Sequence, residues 1–140
     1  MVGTLTLLSL LSGIVPGLSG RSANFAFSSS AHAQSVDNDN VRRYARAVLL
    51  MEPPRQRAYT QIKKILGSVP NVVCHQPNSI QALPRQARPI AIDYCKQYTS
   101  IVASTGLTIP KFNAITAIAQ SDSDLRVRIQ SELIRLQKGN

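Results

Sequence analysis

Two cysteines and one histidine carry the most specific chemistry in this 140-residue sequence. His75 directly follows Cys74, and Cys95 lies further along the chain. In a small exported domain, an isolated cysteine pair usually forms a disulfide. A redox couple and a metal site are the alternatives, but the spacing is far from C-x-x-C and His75 alone adds a soft ligand. The sequence therefore predicts a Cys74–Cys95 disulfide that closes a loop of about 22 residues.

The Cys74-His75 pair also suggests a nucleophile with a general base. Adjacent residues rarely present their side chains to one another, and no third group is evident that would orient the imidazole. The sequence contains no glycine-rich phosphate loop, no G-x-S-x-G motif and no zinc-ligand spacing. We therefore expect no enzymatic activity, cofactor or metal. A small hydrolase or redox protein with its site near Cys74-His75 is the alternative.

Positive charge is the second feature that bears on function. The chain has 16 Lys and Arg against 7 Asp and Glu, which gives a formal net charge of +9. Helical spacing gathers these basic residues on two faces, one formed by Arg42, Arg43 and Arg46 and the other by Arg128, Arg135 and Lys138. Such faces either bind an anionic envelope component or another protein, or simply keep a small protein soluble. No nucleic-acid-binding module is recognisable, so nucleic acid is not an expected partner.

Val127 and Ile134 form a minor apolar stripe on the predicted last helix. The stripe either contacts a neighbouring helix of the same bundle or serves as a surface for a partner or for self-association.

The elements that position these residues are predicted to be helices. Apolar residues recur at three- and four-residue spacing from Pro89 to Thr105, and Ile92 belongs to this stripe. Pro89 suits a first helical turn, and Gly106 suits the position just past a helix end. We expect an all-α fold, a small bundle of four to five helices packed around Pro89–Thr105, with one disulfide and essentially no strand.

Prolines and glycines divide the region before this central helix. A first helix is expected from Val41, capped by Asp39 or Asn40, to the Glu52-Pro53-Pro54 sequence. A second, from Pro54 to Leu66 with Tyr59 and Ile65 inward, would form an antiparallel hairpin with the first. In the irregular stretch 68–88, Asn78 or Ser79 is expected to cap one turn that carries Ile80 and Leu83 into the core.

Two helices are predicted after the central one. Thr108 is expected to cap the first of them, with Pro110 in its first turn. Ser121 and Asp124 resemble a capping box for the last helix. The core-facing residues are expected to be Phe112, Ile115, Ile118 and Ala119 in the first helix, and Leu125, Ile129, Leu133 and Leu136 in the second.

The N-terminal segment indicates export. An apolar stretch from Val2 to Leu18 precedes Ala31-His32-Ala33, which fits signal peptidase cleavage before Gln34. No basic residue precedes this stretch, so either the true start lies upstream of Met1 or the signal is atypical. The alternative is an uncleaved membrane anchor, which would give the protein its only expected membrane contact. We therefore predict a signal peptide or anchor over 1–33, a flexible leader over 34–40 and a helical domain over 41–138.

Several segments together resemble a known family. They run in order from Tyr44-Ala45-Arg46-Ala47-Val48-Leu49 through Glu52-Pro53, Ile90-Ala91-Ile92-Asp93-Tyr94-Cys95 and Gly106-Leu107-Thr108-Ile109 to Arg128-Ile129-Gln130-Ser131-Glu132-Leu133. This order is similar to that of the domain of unknown function 4168, found in exported bacterial proteins, mainly of cyanobacteria. The likeness covers roughly Val41 to Leu136, and Pro89 stands where the family commonly has a polar residue. The resemblance implies no activity, cofactor or catalytic residue.

These observations favour a non-enzymatic binding or structural module of the cell envelope. The expected location is the periplasm or the extracellular space, with the thylakoid lumen as a further possibility.

Overall fold

The computed structural model describes residues 35–139, and over this range the chain forms five helices and no strand. The helices are α1 (Asn38–Leu66), α2 (Pro77–Gln81), α3 (Arg88–Ser104), α4 (Ile109–Ser121) and α5 (Ser123–Lys138). The all-α prediction is therefore confirmed. The predicted signal peptide or anchor, with its cleavage site, lies outside the described residues.

The predicted hairpin before the central helix is wrong, because α1 is one helix that continues through Pro53 and Pro54. Proline accepts the helical φ angle, but an interior proline removes a hydrogen bond and costs ~3 kcal/mol or more. The Glu52 carboxylate spans this weak point, since it accepts bonds from Arg55 Nε and Gln56 Nε2, both at 2.9 Å. Packing on both sides of the prolines then holds the two halves in line.

That packing forms two apolar clusters along α1. The larger contains the first half of α1 together with α3, α4 and α5, and its most buried large side chains are Tyr44, Val102, Ile115, Ile129 and Leu133. The smaller consists of Ile62, Leu83, Ala87 and Ala91. α1 supplies buried side chains to both clusters, so a reversal of the chain at the prolines would remove one half of α1 from its cluster.

The predicted central helix Pro89–Thr105 corresponds to α3, which shares the central position in the bundle with α1. α1 packs against α3 and α5, whereas α3 packs against α1, α2 and α4. Three residues predicted to face inward are instead exposed by about two fifths, namely Tyr59, Ile65 and Ile92. The predicted core residues of α4 and α5 are buried or half-buried, as expected.

Aromatic side chains link the helices of the larger cluster. The Phe112 ring stacks on Tyr44 with centroids 4.7 Å apart and meets the edge of Tyr98 at 5.7 Å. The Tyr44 hydroxyl shares a 2.7 Å hydrogen bond with Thr116 Oγ1, and the Tyr98 hydroxyl donates to Asn113 Oδ1 at 2.9 Å. These bonds satisfy the polar ends of side chains that are otherwise buried in apolar surroundings.

Helix caps differ in detail from the prediction. Asp37, two to three residues before the predicted caps, caps α1 by accepting from Asn40 N, and Asp122 caps α5 by accepting from Leu125 N. Thr108 caps α4 as predicted. Neither Asn78 nor Ser79 caps α2; the Ser79 hydroxyl instead binds the backbone of Val73. Ile80 is half-buried and Leu83 buried, as predicted.

Within the described range, no single helix is long and apolar enough to cross a membrane. Only α3 and α4 taken together meet that criterion, as a pair bent by 93°.

Candidate functional site

The three arginines of the first basic face lie in the first turns of α1. Val41, Tyr44 and Ala45 are buried, and this helical register turns Arg42, Arg43 and Arg46 outward. The apolar stripe that anchors α1 therefore also fixes the direction of these guanidinium groups.

Arg135 of α5 joins these three arginines in an open groove of about 300 Å³, which we call the arginine groove. Asp39, Thr105 and Leu136 complete its lining. The structure thus brings together four of the six basic residues predicted as an anionic-partner surface, from two helices that are distant in the sequence.

Arg43 is held in place by two hydrogen bonds. Its Nε donates to Asp39 Oδ2 at 2.7 Å, and its Nη1 donates to the backbone oxygen of Thr105 at 3.1 Å. The Asp39–Arg43 pair is about half exposed, so it adds little to stability and serves mainly to orient the guanidinium.

Gly106 makes room for this guanidinium. Its φ is +88°, and a Cβ built at this position would lie 1.9 Å from Arg43 Nη1. Glycine is required here for two reasons, since any side chain would strain the left-handed backbone and would displace Arg43.

Arg135 is oriented in a similar way by Glu132. Its Nε donates to both carboxylate oxygens, at 3.0 and 3.1 Å, and its Nη2 also bonds to Oε1. The hydrogen bond from Arg135 lowers the pKa of Glu132, and the nearby positive charge of Arg42 adds to this effect. Glu132 is therefore a carboxylate at neutral pH, and it compensates one positive charge of the groove.

Arg42 and Arg46 have no hydrogen-bond or ion-pair partner among residues 35–139. The four arginines thus face two carboxylates, Asp39 and Glu132, and two positive charges are left in excess. Guanidinium groups in such an arrangement bind carboxylate or phosphate oxygens.

The other two predicted basic residues do not line this groove. Arg128 donates to the backbone oxygen of Val36 at 2.7 Å and to Asn38 Oδ1 at 2.8 Å, so it ties α5 to the start of α1. Lys138 is exposed in the last turn of α5. The predicted basic set is therefore divided between a groove, a structural contact and a helix end.

The predicted apolar stripe lies on the outer face of α5. Val127 is 59% exposed and Ile134 is 41% exposed. Contact with a neighbouring helix of the described bundle therefore does not account for this stripe, and its role as a partner surface stays a prediction.

The cysteine prediction is confirmed, because Cys74 and Cys95 form a disulfide with their Cα atoms 5.3 Å apart. The bridge joins the segment between α1 and α2 to the middle of α3. His75 is exposed and has no hydrogen bond within the described residues. Over the same range, no group of three or more His, Cys, Asp or Glu residues is placed to hold a metal ion.

A second groove of about 290 Å³ lies between the second half of α1 and the first half of α3. We call it the tyrosine groove, after Tyr94. One arginine, Arg57, and one acidic residue, Asp93, line it together with neutral residues that include Gln61 and Gln97. Its lining has no net charge, which distinguishes it from the arginine groove.

Sequence reasoning missed the groups that orient Arg43. The i, i+4 spacing of Asp39 and Arg43 is a helical pairing signal that the sequence does contain. Thr105 and Gly106 carry no such signal. They lie more than 60 residues from Arg43 in the sequence and contact it only in the folded protein.

The family model described as domain of unknown function (DUF4168) matches residues 37–129. No curated protein and no solved structure matches the chain. The matched span includes Arg42, Arg43, Arg46 and Gly106, and it ends before Arg135.

Proposed function

We propose that this chain, which belongs to the DUF4168 family, is a non-enzymatic binding module of the cell envelope that holds an anionic partner in the arginine groove. The observation that carries the proposal is the excess of positive charge in one groove, where Arg42 and Arg46 lack a partner within the described residues. Binding needs only such oriented charge and a place for the partner to dock.

Export is part of the proposal. The Cys74–Cys95 disulfide fits an oxidising compartment, and the A-x-A sequence before Gln34 fits a signal peptide. Mass spectrometry of the protein isolated from its source cells should give Gln34 as the first residue. An intact N-terminal segment in that protein would instead favour the membrane anchor.

Co-sedimentation with an isolated envelope fraction tests the binding function. The purified protein should sediment with the envelope at low salt and be released as salt is raised, because exposed charges are screened. Arg42→Glu with Arg46→Glu should abolish this binding. Lys64→Glu with Arg85→Glu is the matched control, since it makes the same charge change at exposed positions that do not line the arginine groove.

His75→Ala separates this function from the alternative, a hydrolase or redox protein with its site near Cys74-His75. The disulfide leaves Cys74 without the free thiol that a nucleophile requires. Under our proposal, His75→Ala leaves envelope binding unchanged. Loss of the cellular function in His75→Ala alone, with the fold intact, would contradict the proposal.

A further inference from the structure

We infer that the arginine groove recognises a phosphomonoester, a phosphate group that is attached through one ester bond and carries close to two negative charges. This inference deepens the proposed function and rests on it. It concerns the chemical class of the ligand and the residues that prepare the groove to hold it.

The excess positive charge of the groove indicates how much negative charge a matching ligand should carry. Asp39 and Glu132 are engaged by Arg43 and Arg135, and Arg42 and Arg46 supply the two positive charges that remain. A phosphomonoester carries about −1.5 to −2 at neutral pH and therefore matches this excess. A single carboxylate or a phosphodiester carries one negative charge and leaves half of the excess uncompensated.

The geometry of the fixed arginines suits the same ligand. Arg43 uses Nε and one N–H of Nη1 in its bonds to Asp39 and Thr105, so its Nη2 group is not engaged by residues 35–139. Arg135 uses Nε and Nη2 on Glu132, which leaves its Nη1 group. Guanidinium groups whose orientation is already set lose less conformational freedom when they bind phosphate oxygens.

Gly106 is a positioning residue in this arrangement. It touches no ligand, but the space left by its missing side chain is where the Arg43 guanidinium lies. Gly67 provides a matched control, because its φ is +78° and nothing lies within 4 Å of a Cβ built on it. Alanine at either position strains a left-handed backbone, but only at Gly106 does it displace an arginine of the groove.

The phosphomonoester has two possible sources, a soluble phosphorylated metabolite and a lipid headgroup. Calorimetric titration with glycerol phosphate tests the soluble form, and glycerate serves as the carboxylate control on a similar carbon skeleton. Flotation with phosphatidylcholine vesicles that contain phosphatidic acid tests the lipid form. Vesicles with phosphatidylglycerol, adjusted to equal surface charge, present a phosphodiester instead.

We expect at least one phosphomonoester probe to bind about tenfold or more tightly than its matched control, as the loss of one charge-assisted contact would imply. Arg42→Gln with Arg46→Gln should weaken that binding by about tenfold or more, and Lys64→Gln with Arg85→Gln by less than about twofold. Gly106→Ala should weaken binding as well. Gly67→Ala should lower the thermal midpoint without affecting binding.

The inference is overturned if neither phosphomonoester is preferred over its control, or if both double variants weaken binding equally. If Gly106→Ala does not fold, the two double variants still test whether Arg42 and Arg46 bind the phosphomonoester. Envelope binding that depends on Arg42 and Arg46 without any phosphomonoester preference would show that the ligand class is wrong and leave the proposed function standing. Envelope binding that ignores these two arginines would overturn the proposed function itself.

Discussion

The arginine groove and the tyrosine groove have nearly the same volume, about 300 and 290 Å³, but the first carries excess positive charge and the second has no net charge. The first collects four arginines against two carboxylates, and the second sets one arginine against one carboxylate. Both are built on the same helix, α1. The comparison teaches that two grooves on the same helix differ in net charge, with two positive charges in excess at the arginine groove and none at the tyrosine groove.

The support beneath the two grooves also differs. The arginine groove lies over the larger apolar cluster, where Tyr44 and Ile129 are almost fully buried. The tyrosine groove lies beside the smaller cluster. The Cys74–Cys95 bridge links the segment before α2 to α3, and Cys74 packs against the larger cluster. Because the bridge joins none of the segments that line the arginine groove to one another, we expect that groove to persist without it.

Alkaline pH should unfold both regions together, and this is the largest loss of stability that we expect. Burial raises the pKa of Tyr44, Tyr94 and Tyr98 to about 12 each, from an ordinary value of 10.0. Between these values the unfolded chain has lost protons that the folded chain retains, so stability is fully present below pH 10 and falls as pH rises towards 12. Dichroism and tyrosinate absorbance recorded against pH should change in one cooperative step.

Two separate alkaline transitions would contradict this expectation, and would show that the regions around Tyr44 and Tyr94 unfold independently.

Removal of the disulfide should destabilise the folded protein but leave binding at the arginine groove intact. Cys74→Ser with Cys95→Ser should lower the free energy of unfolding by about 3 kcal/mol, because the loop of about 22 residues is no longer closed in the unfolded chain. Denaturant titration measures this loss. Envelope binding should remain, since the arginine groove is lined by α1, α5 and Thr105, and the bridge joins none of these to one another. Loss of binding in a folded double variant would show that the grooves are coupled.

Glu52 stands between the two regions, and its replacement tests how they are joined. Glu52→Ala removes the carboxylate that spans Pro53 and Pro54 and leaves the half-buried Arg55 without it. We expect a loss of about 1–2 kcal/mol in the free energy of unfolding. Gln56→Ala removes only one exposed hydrogen bond to the same carboxylate and is the control, with a loss below about 0.5 kcal/mol. Equal effects from the two variants would mean that the ionic contact does not stabilise α1 at the prolines.

The smallest expected effect concerns the start of α1, next to the arginine groove. Asp37→Ala removes the side chain that caps the helix and should lower the thermal midpoint. Asp39→Ala leaves this cap intact, removes an exposed ion pair and should have a smaller effect, a loss of about 0.5 kcal/mol or below. Thermal unfolding of both variants provides the comparison, and a larger loss from Asp39→Ala would mean that the ion pair, and not the cap, fixes this end.

Much of the fold follows from local patterns in the sequence. The apolar spacing in α3, α4 and α5 predicted helices whose bounds agree with the structure to within a few residues, and the Thr108 cap and the disulfide were predicted as well. The prediction failed at Pro53 and Pro54. Local propensity favours a break there, and only the packing of both halves of α1 against separate clusters overrides it.

The candidate site could be predicted only where it depends on local helical spacing. Arg42, Arg43 and Arg46 share a helix face, which follows from their spacing alone. Their meeting with Arg135 and the fit of Gly106 against Arg43 depend on how distant segments pack, and helical periodicity contains no information on that.

Nuclear magnetic resonance of the isotope-labelled protein, titrated with glycerol phosphate, tests the central claim most directly. We predict that the resonances that shift will be those around the arginine groove, namely Arg42, Arg43, Arg46, Thr105, Gly106 and Arg135. Signals of Arg57, Asp93 and Gln97 in the tyrosine groove should stay in place. Shifts spread evenly over basic residues such as Lys64, Arg85 and Lys96, or shifts confined to the tyrosine groove, would contradict the account.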